Sequence, residues 1–402
     1  MTSRRPRVFY VGMVCTQAYV TAIREQAFVG AAAGKMSAVV LALRQAGRRA
    51  VLVSLPFVGR GADRQQGRVC RDDGFPAYFL PVRRAAVARK VHGFFTLAWF
   101  ALQRVRPRDT VLFYNHGLEY LMALLIMRLR GIAVFQDIED VPTSIETGLR
   151  GVTNRFGYRL MSALSSPRKV TVSNQVGRSL ALNGFLAIQG IAAVSTHAWL
   201  SDKWSALAAG APLRVHFGGT LNASTGLDLF CATLTNLDSS AGRLDRNIVL
   251  IVTGTGDLDK VRDLATSLQS DRLVIEVHRE IDRHSYFNLL HSCHIGLSLK
   301  SPDADLADTT FPSKVIEITS RGLALVSTRV SDVGDIFSDE EAWLLPQFDV
   351  TELTEALLHL AAHPDEVRRR AEAGQVRARE RFAPLAVGRA LADFLDAGPS
   401  AQ

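Results

Sequence analysis

The sequence predicts an α/β chain made of two doubly wound parallel sheets, and three observations carry that prediction. Strand-like and helix-like segments alternate along nearly the whole chain. The alternation starts afresh near residue 213, and 402 residues are enough for two domains of ordinary size. With 48% hydrophobic and 21% charged residues the composition is that of a globular protein, which excludes disorder of the whole chain.

In the first half, "RVFYVGM" reads as a buried strand ending at Gly12. "GKMSAVVLALRQAG" repeats apolar residues at Met36, Val39, Val40 and Leu43 and stops at a glycine, so it reads as a helix opened by Gly34. The strand "AVLVSLP", the strand "TVLFYN", the helix "LEYLMALLIMRLRG", the strand "IAVFQDIED", a helical stretch and the strand "KVTVSN" follow. The second half repeats the plan with "RVHFGG", "GLDLFCATLTNL", "NIVLIVTGTG", "LVIEV", "SYFNLLHSC", "IGLSL", "LALVST" and "AWLLP". The expected domains are 1–199 and 213–384, with a linker at 200–212 and a last helix, 385–398, packing back on the first domain. Ligands of open α/β sheets sit beyond the carboxyl ends of the strands, so two such domains facing each other by those ends frame a cleft.

The four cysteines, Cys15, Cys70, Cys231 and Cys293, are scattered and form no CxxC pair, as expected of reduced thiols in a cytosolic protein. The basic N-terminus precedes an apolar run too short for a signal peptide. The longest apolar stretch, "YLMALLIMRLRGIAVF", is broken by Arg128 and Arg130, so no transmembrane span is expected.

Chemistry concentrates at three turns of the second half. "FGGTLNASTGLDLF" is a strand, a glycine turn and a helix start; "VTGTGDLDKV" repeats the device with Gly254 and Gly256. "DTTFPSKVIEITSRG" places Ser313, Lys314 and Glu317 at a helix start between two apolar strands. A helix start offers N–H donors and partial positive charge to an anion, and Lys314 adds a full charge. Glu317 lies four residues after Ser313, whereas a capping box needs three. An i,i+3 ion pair of Lys314 with Glu317 is the alternative use of that carboxylate.

In this order and spacing the three turns resemble the retaining GT-B glycosyltransferases, specifically glycosyltransferase family 4. The resemblance implies a sugar transferred from a nucleotide-diphosphate donor to a glycan or polyprenyl-linked acceptor, in synthesis of a cell-surface polysaccharide or glycolipid. It implies no cofactor and no essential metal. It assigns Glu317 to the ribose hydroxyls of the donor. Lys314, Ser313, Gly219, Thr220, Gly254, Thr309 and Thr310 complete the donor set. On the acceptor side it points to Gly12 and Gly34, with Asp137 facing the reacting sugar carbon and His116 as a second catalytic candidate. The sequence departs from the family where an arginine and a lysine usually clamp the phosphates, since Thr220 and Thr225 stand there. Thr309 replaces the usual first glutamate, with Asp308 its nearest acidic neighbour. "HSCH", His291 to His294, is read as structural, inside the helix "SYFNLLHSC".

Charge divides the chain. Residues 1–200 hold 27 Lys and Arg against 10 Asp and Glu, a net +17, while the remainder nets −9, giving +8 in all. Such a half faces something anionic. "PVRRAAVARKVHGFFTLAWFALQRVRPRD" sets bases beside Phe94, Phe95, Trp99 and Phe100; an anionic membrane surface suits that mixture, although the aromatics are expected to pack on the sheet. No recognition helix, zinc pattern or aromatic nucleic-acid motif supports nucleic acid as the partner. The expected location is cytoplasmic, peripheral at the inner face of the plasma membrane. A non-catalytic GT-B partner subunit is the alternative that Thr220, Thr225 and Thr309 suggest, ahead of a basic nucleic-acid-binding protein.

Overall fold

The structure, a computed structural model, describes residues 6–23, 30–57, 64–83, 85–142, 148–192, 200–279, 281–303 and 310–398. The chain divides into two compact units, Met1–Ile191 with Pro384–Gln402, and Ala192–Ala383.

In the first unit β1 (Arg7–Gly12) leads through α1 (Gln17–Ile23) and α2 (Ala31–Gln45) to β2 (Arg49–Ser54). The short strands β3 (Arg64–Gln65), β4 (Arg68–Asp72), β5 (Phe75–Phe79) and β6 (Val82–Arg83) precede α3 (Ala86–Arg104). Then come β7 (Thr110–Tyr114), α4 (Leu121–Leu129), β8 (Ala133–Ile138), α5 (Gly148–Leu164), β9 (Lys169–Thr171), α6 (Asn174–Ser179) and β10 (Phe185–Ala187). The strand order is β10-β9-β8-β7-β1-β2-β5-β4. The direction of winding reverses between β1 and β7, which makes their carboxyl ends a topological switch point. Within this sheet all pairs are parallel except β4 with β5, a hairpin closed by Asp73 and Gly74, both at positive φ; β3 and β6 form a separate antiparallel pair. That Asp-Gly pair is the usual chemistry of a two-residue hairpin turn.

In the second unit α7 (Leu200–Ala208) and β11 (Leu213–Leu221) come first, followed by α8 (Leu227–Ser239), β12 (Ile248–Gly256), α9 (Leu258–Ser267) and β13 (Leu273–Arg279). Next are α10 (Arg283–Ser292), β14 (Ile295–Ser298), α11 (Lys314–Ser320), β15 (Ala324–Thr328), α12 (Val333–Ile336) and β16 (Ala342–Leu345). The unit closes with α13 (Val350–Ala362) and α14 (Pro364–Phe382), and α15 (Pro384–Asp396) belongs to the first unit. Its sheet is wholly parallel in the order β13-β12-β11-β14-β15-β16, with its switch point between β11 and β14.

Each sheet buries its strands on both faces, as parallel sheets do. Phe9, Val11, Leu112 and Phe135 lie in the first core; Val215, Phe217, Leu250 and Val326 lie in the second. Val387, Leu391 and Leu395 of α15 complete the first core, and α15 packs on α2 so closely that a Cβ at Gly388 would fall 2.0 Å from the Ala42 carbonyl oxygen.

Two sequence expectations differ from the fold. Residues 200–212 begin with a helix, not a linker, and its Trp204 and Leu207 lie in the second core. The helix expected to open at Gly34 starts at Ala31, with Gly30 as its cap, so Gly34 sits exposed in the first turn.

Gly254 and Gly34 should therefore answer the same mutation oppositely. Gly254 has φ +133°, and a Cβ there would lie 1.9 Å from the Gly219 carbonyl oxygen. Gly254→Ala should cost roughly 3 kcal/mol or more. Nothing lies within 4 Å of a Cβ at Gly34, so Gly34→Ala should stabilise by about 0.5–1 kcal/mol. Urea titrations of the two variants measure both signs.

Candidate functional site

In the second unit the chemistry gathers around the carboxyl ends of β11 and β12 and the helices α10 and α11. The Lys314 ammonium donates to Glu317 Oε2 at 2.6 Å and to the Tyr286 hydroxyl at 2.8 Å. That hydroxyl donates in turn to Glu317 Oε2 at 3.1 Å. The i,i+3 ion pair is therefore formed, and Tyr286 of α10 closes it into a triangle. Both contacts fall on Oε2; Oε1 accepts no hydrogen bond among the described residues. Burial works against the Lys314 charge, but the Glu317 carboxylate and Tyr286 outweigh it and raise its pKa above the ordinary lysine value. Burial is also the main reason the Tyr286 hydroxyl is raised.

The glycine turn meets this triangle. Gly219 has φ +120°, and a Cβ there would come within 3.3 Å of Lys314 Cε. Thr220, which stands where the family has arginine, is exposed at the end of β11. Thr225 shares a capping box with Asn222 and donates to the Thr220 carbonyl at 2.7 Å, so its hydroxyl fastens the turn. Beneath the turn, His216 bonds the Thr253 hydroxyl at 2.9 Å and stands edge-on to Tyr286. Burial, with the Lys314 charge added, pushes the His216 pKa down to about 3, so the ring is neutral at pH 7.

Ser313 precedes α11 in helical conformation and makes no side-chain cap bond. Thr310 accepts a hydrogen bond from Lys300 through its hydroxyl. Thr309 and Asp308 lie outside the described residues. Gly254 is in register with Gly219, and its lack of a Cβ is what lets the two backbones approach.

The first unit gathers a second cluster at its switch point. Asp137, on β8, is 1% exposed. Its Oδ2 accepts from the Tyr10 hydroxyl, and its Oδ1 faces Lys35 Nζ of α2 at 3.6 Å. Lys35 also donates to Glu139 and lies 5.7 Å from the centre of the Tyr114 ring. Burial opposes the Lys35 charge, but Asp137 and Glu139 more than compensate and raise its pKa. Burial raises Glu139 despite its lysine partner. Asn115, in the left-handed region at φ 57°, accepts through Oδ1 from the backbone N–H groups of Glu139 and Asp140 and fixes this loop.

His116 belongs elsewhere. Its Nε2 pairs with Asn154 of α5 at 2.7 Å, and its ring meets Tyr158 edge-on. Gly12 ends β1 as expected, and its reason is packing: a Cβ there would lie 2.5 Å from Met36 Sδ. "HSCH" does not stay in one helix, since α10 stops at Ser292. Arg321 faces His291 at 3.3 Å; His294 accepts from the Arg214 backbone N–H at 3.0 Å, and burial takes its pKa down to about 4. Among the described residues no group of His, Cys, Asp and Glu has metal-holding geometry.

Sequence reading missed Tyr286, His216, Lys35 and Tyr10. Lys35 had one available signal, its place directly after Gly34 in a helix start. The other three are apolar-patterned residues of strands and helices with no local mark.

Residues 237–390 match a family model described as "Glycosyl transferase-like". The fold is that of the GT-B glycosyltransferases. HepE of Anabaena, solved in complex with UDP, superposes with a TM-score of 0.63 at 11% identity, covering 97% of this chain and 100% of that one. An alpha,alpha-trehalose 6-phosphate synthase from Burkholderia multivorans gives 0.63 at 14%, covering 98% and 97%. The sucrose-phosphate synthase of Thermosynechococcus elongatus gives 0.61 at 13%, covering 97% and 98%. No curated protein matches the chain by sequence.

The depressed histidines make stability pH-dependent. In the unfolded chain they titrate near 6.5; in the fold His216 and His294 titrate near 3 and 4. Between those values the unfolded state binds more protons, so the stabilisation is complete above pH 6.5 and is lost as the pH falls. The slope should be about 1.4 kcal/mol per pH unit for each ring. Urea unfolding at pH 7.5, 6 and 5 should show the decline, and His216→Gln should flatten it by about half. A wild-type midpoint unchanged across this range rules the account out.

Proposed function

We propose that the chain is a retaining glycosyltransferase that moves a sugar from a nucleotide-diphosphate sugar to a glycan or polyprenyl-linked acceptor in cell-surface polysaccharide or glycolipid synthesis. The observation that carries the reading is the Lys314–Tyr286–Glu317 triangle against the Gly219 turn, at the switch point of a sheet that reaches into the glycosyl transferase-like match. HepE, of the same fold, was solved with UDP, and that supports a uridine diphosphate sugar as the first donor to try.

In this reading Glu317 accepts from the ribose hydroxyls through Oε1, the oxygen left open by the triangle. A charge-assisted bond of this kind contributes about 1.5–3 kcal/mol. Lys314 faces the diphosphate, with Ser313, Thr310 and the backbone of Gly219 and Thr220 beside it. Preorganised positive charge at the place where leaving-group charge develops is the main source of rate. Lys314 supplies that charge, so the reading calls for no metal and no cofactor. A diphosphate oxygen takes the proton of the attacking hydroxyl on the same face of the sugar, and no protein nucleophile is needed. Asp137, set beside Lys35, is the catalytic candidate of the first unit in this reading. His116, paired with Asn154, is the second catalytic candidate. The net +17 of residues 1–200 supports work at the anionic inner face of the plasma membrane, and no described helix is long and apolar enough to cross a membrane.

A panel of uridine and guanosine diphosphate sugars tests this by nucleoside diphosphate release and by thermal stabilisation. At least one donor should stabilise the protein and be turned over. Binding without turnover on any acceptor would favour the non-catalytic subunit, and no response to any donor would sink the reading. Glu317→Gln should lower kcat/KM about 10- to 150-fold. Tyr286→Phe, which frees Lys314 and Glu317 from their shared hydroxyl, should lower it by no more than about tenfold. A folded Glu317→Gln enzyme with full turnover removes the ribose assignment.

A further inference from the structure

The helices α3, α4 and α5 leave an apolar surface that the site above does not use. On α3, Val87, Val91, Phe95, Trp99 and Leu102 are exposed, at spacings of four, four, four and three. That spacing is one stripe along the helix. The aromatics expected to pack on the sheet therefore divide: Phe100 is buried in the first core, while Phe95 is 59% and Trp99 64% exposed. Leu125 and Leu129 are exposed on α4, the latter at 80%, and Val152 and Phe156 on α5.

The three helices share one face of the sheet. Each leads into the next strand outward in the run β7, β8, β9, and right-handed crossovers stepping one way place their helices on one side. The path from β1 to β2 steps the other way, so α2, with α15 on it, lies on the opposite side. In accord with this, α3 packs on α4 and α4 on α5. A groove of about 930 Å³, lined by Leu80, Pro81, Phe95, Trp99 and Leu102, widens the stripe at the α3 edge.

Charge identifies the partner. Arg83 to Arg108 carries seven Arg and Lys and no Asp or Glu, and none stands between Tyr120 and Gln136 or between Thr147 and Ser201. A solvated helical surface ordinarily mixes both signs. Exposed here are Arg83, Lys90, Arg104, Arg106, Arg108, Arg128 and Arg159, at the margins of the apolar residues. An apolar stripe with cationic margins, free of carboxylates and carrying a tryptophan, is the composition that lies in the headgroup region of an anionic bilayer. The aliphatic members decide against nucleic acid. Phe95 and Trp99 can stack on bases, but Val87, Val91, Leu102, Leu125 and Leu129 have no use there.

We propose that the α3–α4–α5 face is the membrane-docking surface of this protein and seats it on a bilayer of anionic lipid, with the α3 stripe among the headgroups and acyl chains entering its groove. The inference deepens the membrane-linked acceptor proposed above and rests on that reading for its purpose; the binding itself does not need a donor or an acceptor.

The full-length protein is sedimented with phosphatidylcholine vesicles, with and without phosphatidylglycerol, at low and high salt. It should partition to the anionic vesicles alone and be released by salt. Phe95→Ser with Trp99→Ser should reduce the partition at least about tenfold, and Arg83→Glu with Lys90→Glu about a hundredfold or more. On binding, tryptophan emission should shift to the blue, and Trp99→Phe should lose that shift while keeping the partition. Absence of binding to anionic vesicles overturns the proposal. So does a partition unaltered in both double variants, or single-stranded RNA binding through these residues without vesicle binding. A solution dimer that Phe95→Ser with Trp99→Ser dissociates overturns it as well. A cooperative thermal melt without vesicles, read with and without donor, shows by its cooperativity that each variant is folded. It also separates the two readings, since vesicle binding with no donor response sinks the transferase and leaves the surface standing.

Discussion

The close approach of two backbones organises the second unit. Gly219 and Gly254 lie opposite each other where β11 and β12 end, and the Gly219 carbonyl oxygen occupies the space that a side chain at 254 would fill. Gly256 stands in the same relation to Leu221. Because the ladder continues to the last residues of both strands, the turn after β11 leaves the sheet at a fixed height. From there the backbone of Gly219 reaches Lys314, and the Thr225 hydroxyl ties the return of the turn to Thr220. A side chain at either glycine would push the turn away from the only described lysine in the triangle. The geometry of the turn beside Lys314 is thus set by the absence of two Cβ atoms before any charged group enters.

In its own cluster each unit pairs its buried or half-buried lysine with carboxylate. Lys35 is largely and Lys314 partly withdrawn from water, and each is held cationic by two oxygen groups that outweigh its burial. Burial of an unmatched ammonium would neutralise it instead. The carboxylates are incompletely used. Asp137 Oδ1 accepts no hydrogen bond among the described residues although a lysine faces it, and Glu317 leaves Oε1 open. Of the two, the half-buried Glu317 has the oxygen to which a ligand hydroxyl could add a bond, whereas Asp137 Oδ1 is buried. The neutral His216 under the turn adds no competing positive charge below Lys314.

Much of this was legible in the sequence, and the failures have physical causes. Strands buried on both faces write themselves as continuous apolar runs, so both sheets could be read. Glu317 and Lys314 are three residues apart on one helix, and their pairing is local. Tyr286 is 31 residues from Glu317 and Tyr10 is 127 from Asp137. Only the strand order, with its reversal at a switch point, brings such residues together, and no short window contains it. The helix at 200–208 was hidden by the Ala, Gly and Pro that follow it; only Trp204 and Leu207 mark its buried side. The hairpin of β4 and β5 has a local mark in its Asp-Gly turn, but β4 is mostly exposed and lacks the apolar run of the parallel strands. The α3 aromatics show the limit of composition. The same run of residues sends Phe100 to the sheet and Trp99 to solvent, and only the helical phase separates them.

Missing phosphate-clamp residues change what Lys314 must do. With threonine at 220 and 225, the diphosphate of the proposed donor would meet Lys314, and that ammonium is already paired with Glu317. Two diphosphate charges entering beside Lys314 weaken its hold on Glu317 by repelling the same carboxylate. The carboxylate then needs new donors, and the ribose hydroxyls supply them. The ribose half of the nucleotide thereby compensates the group that the diphosphate half has loosened. Ribose alone would add bonds at the open Oε1 and leave the ion pair intact, whereas diphosphate alone would draw Lys314 away and leave a partly buried Glu317 short of a partner, a costly state. In the proposed reading the triangle accordingly favours a ligand that brings ribose hydroxyls together with its diphosphate over diphosphate alone.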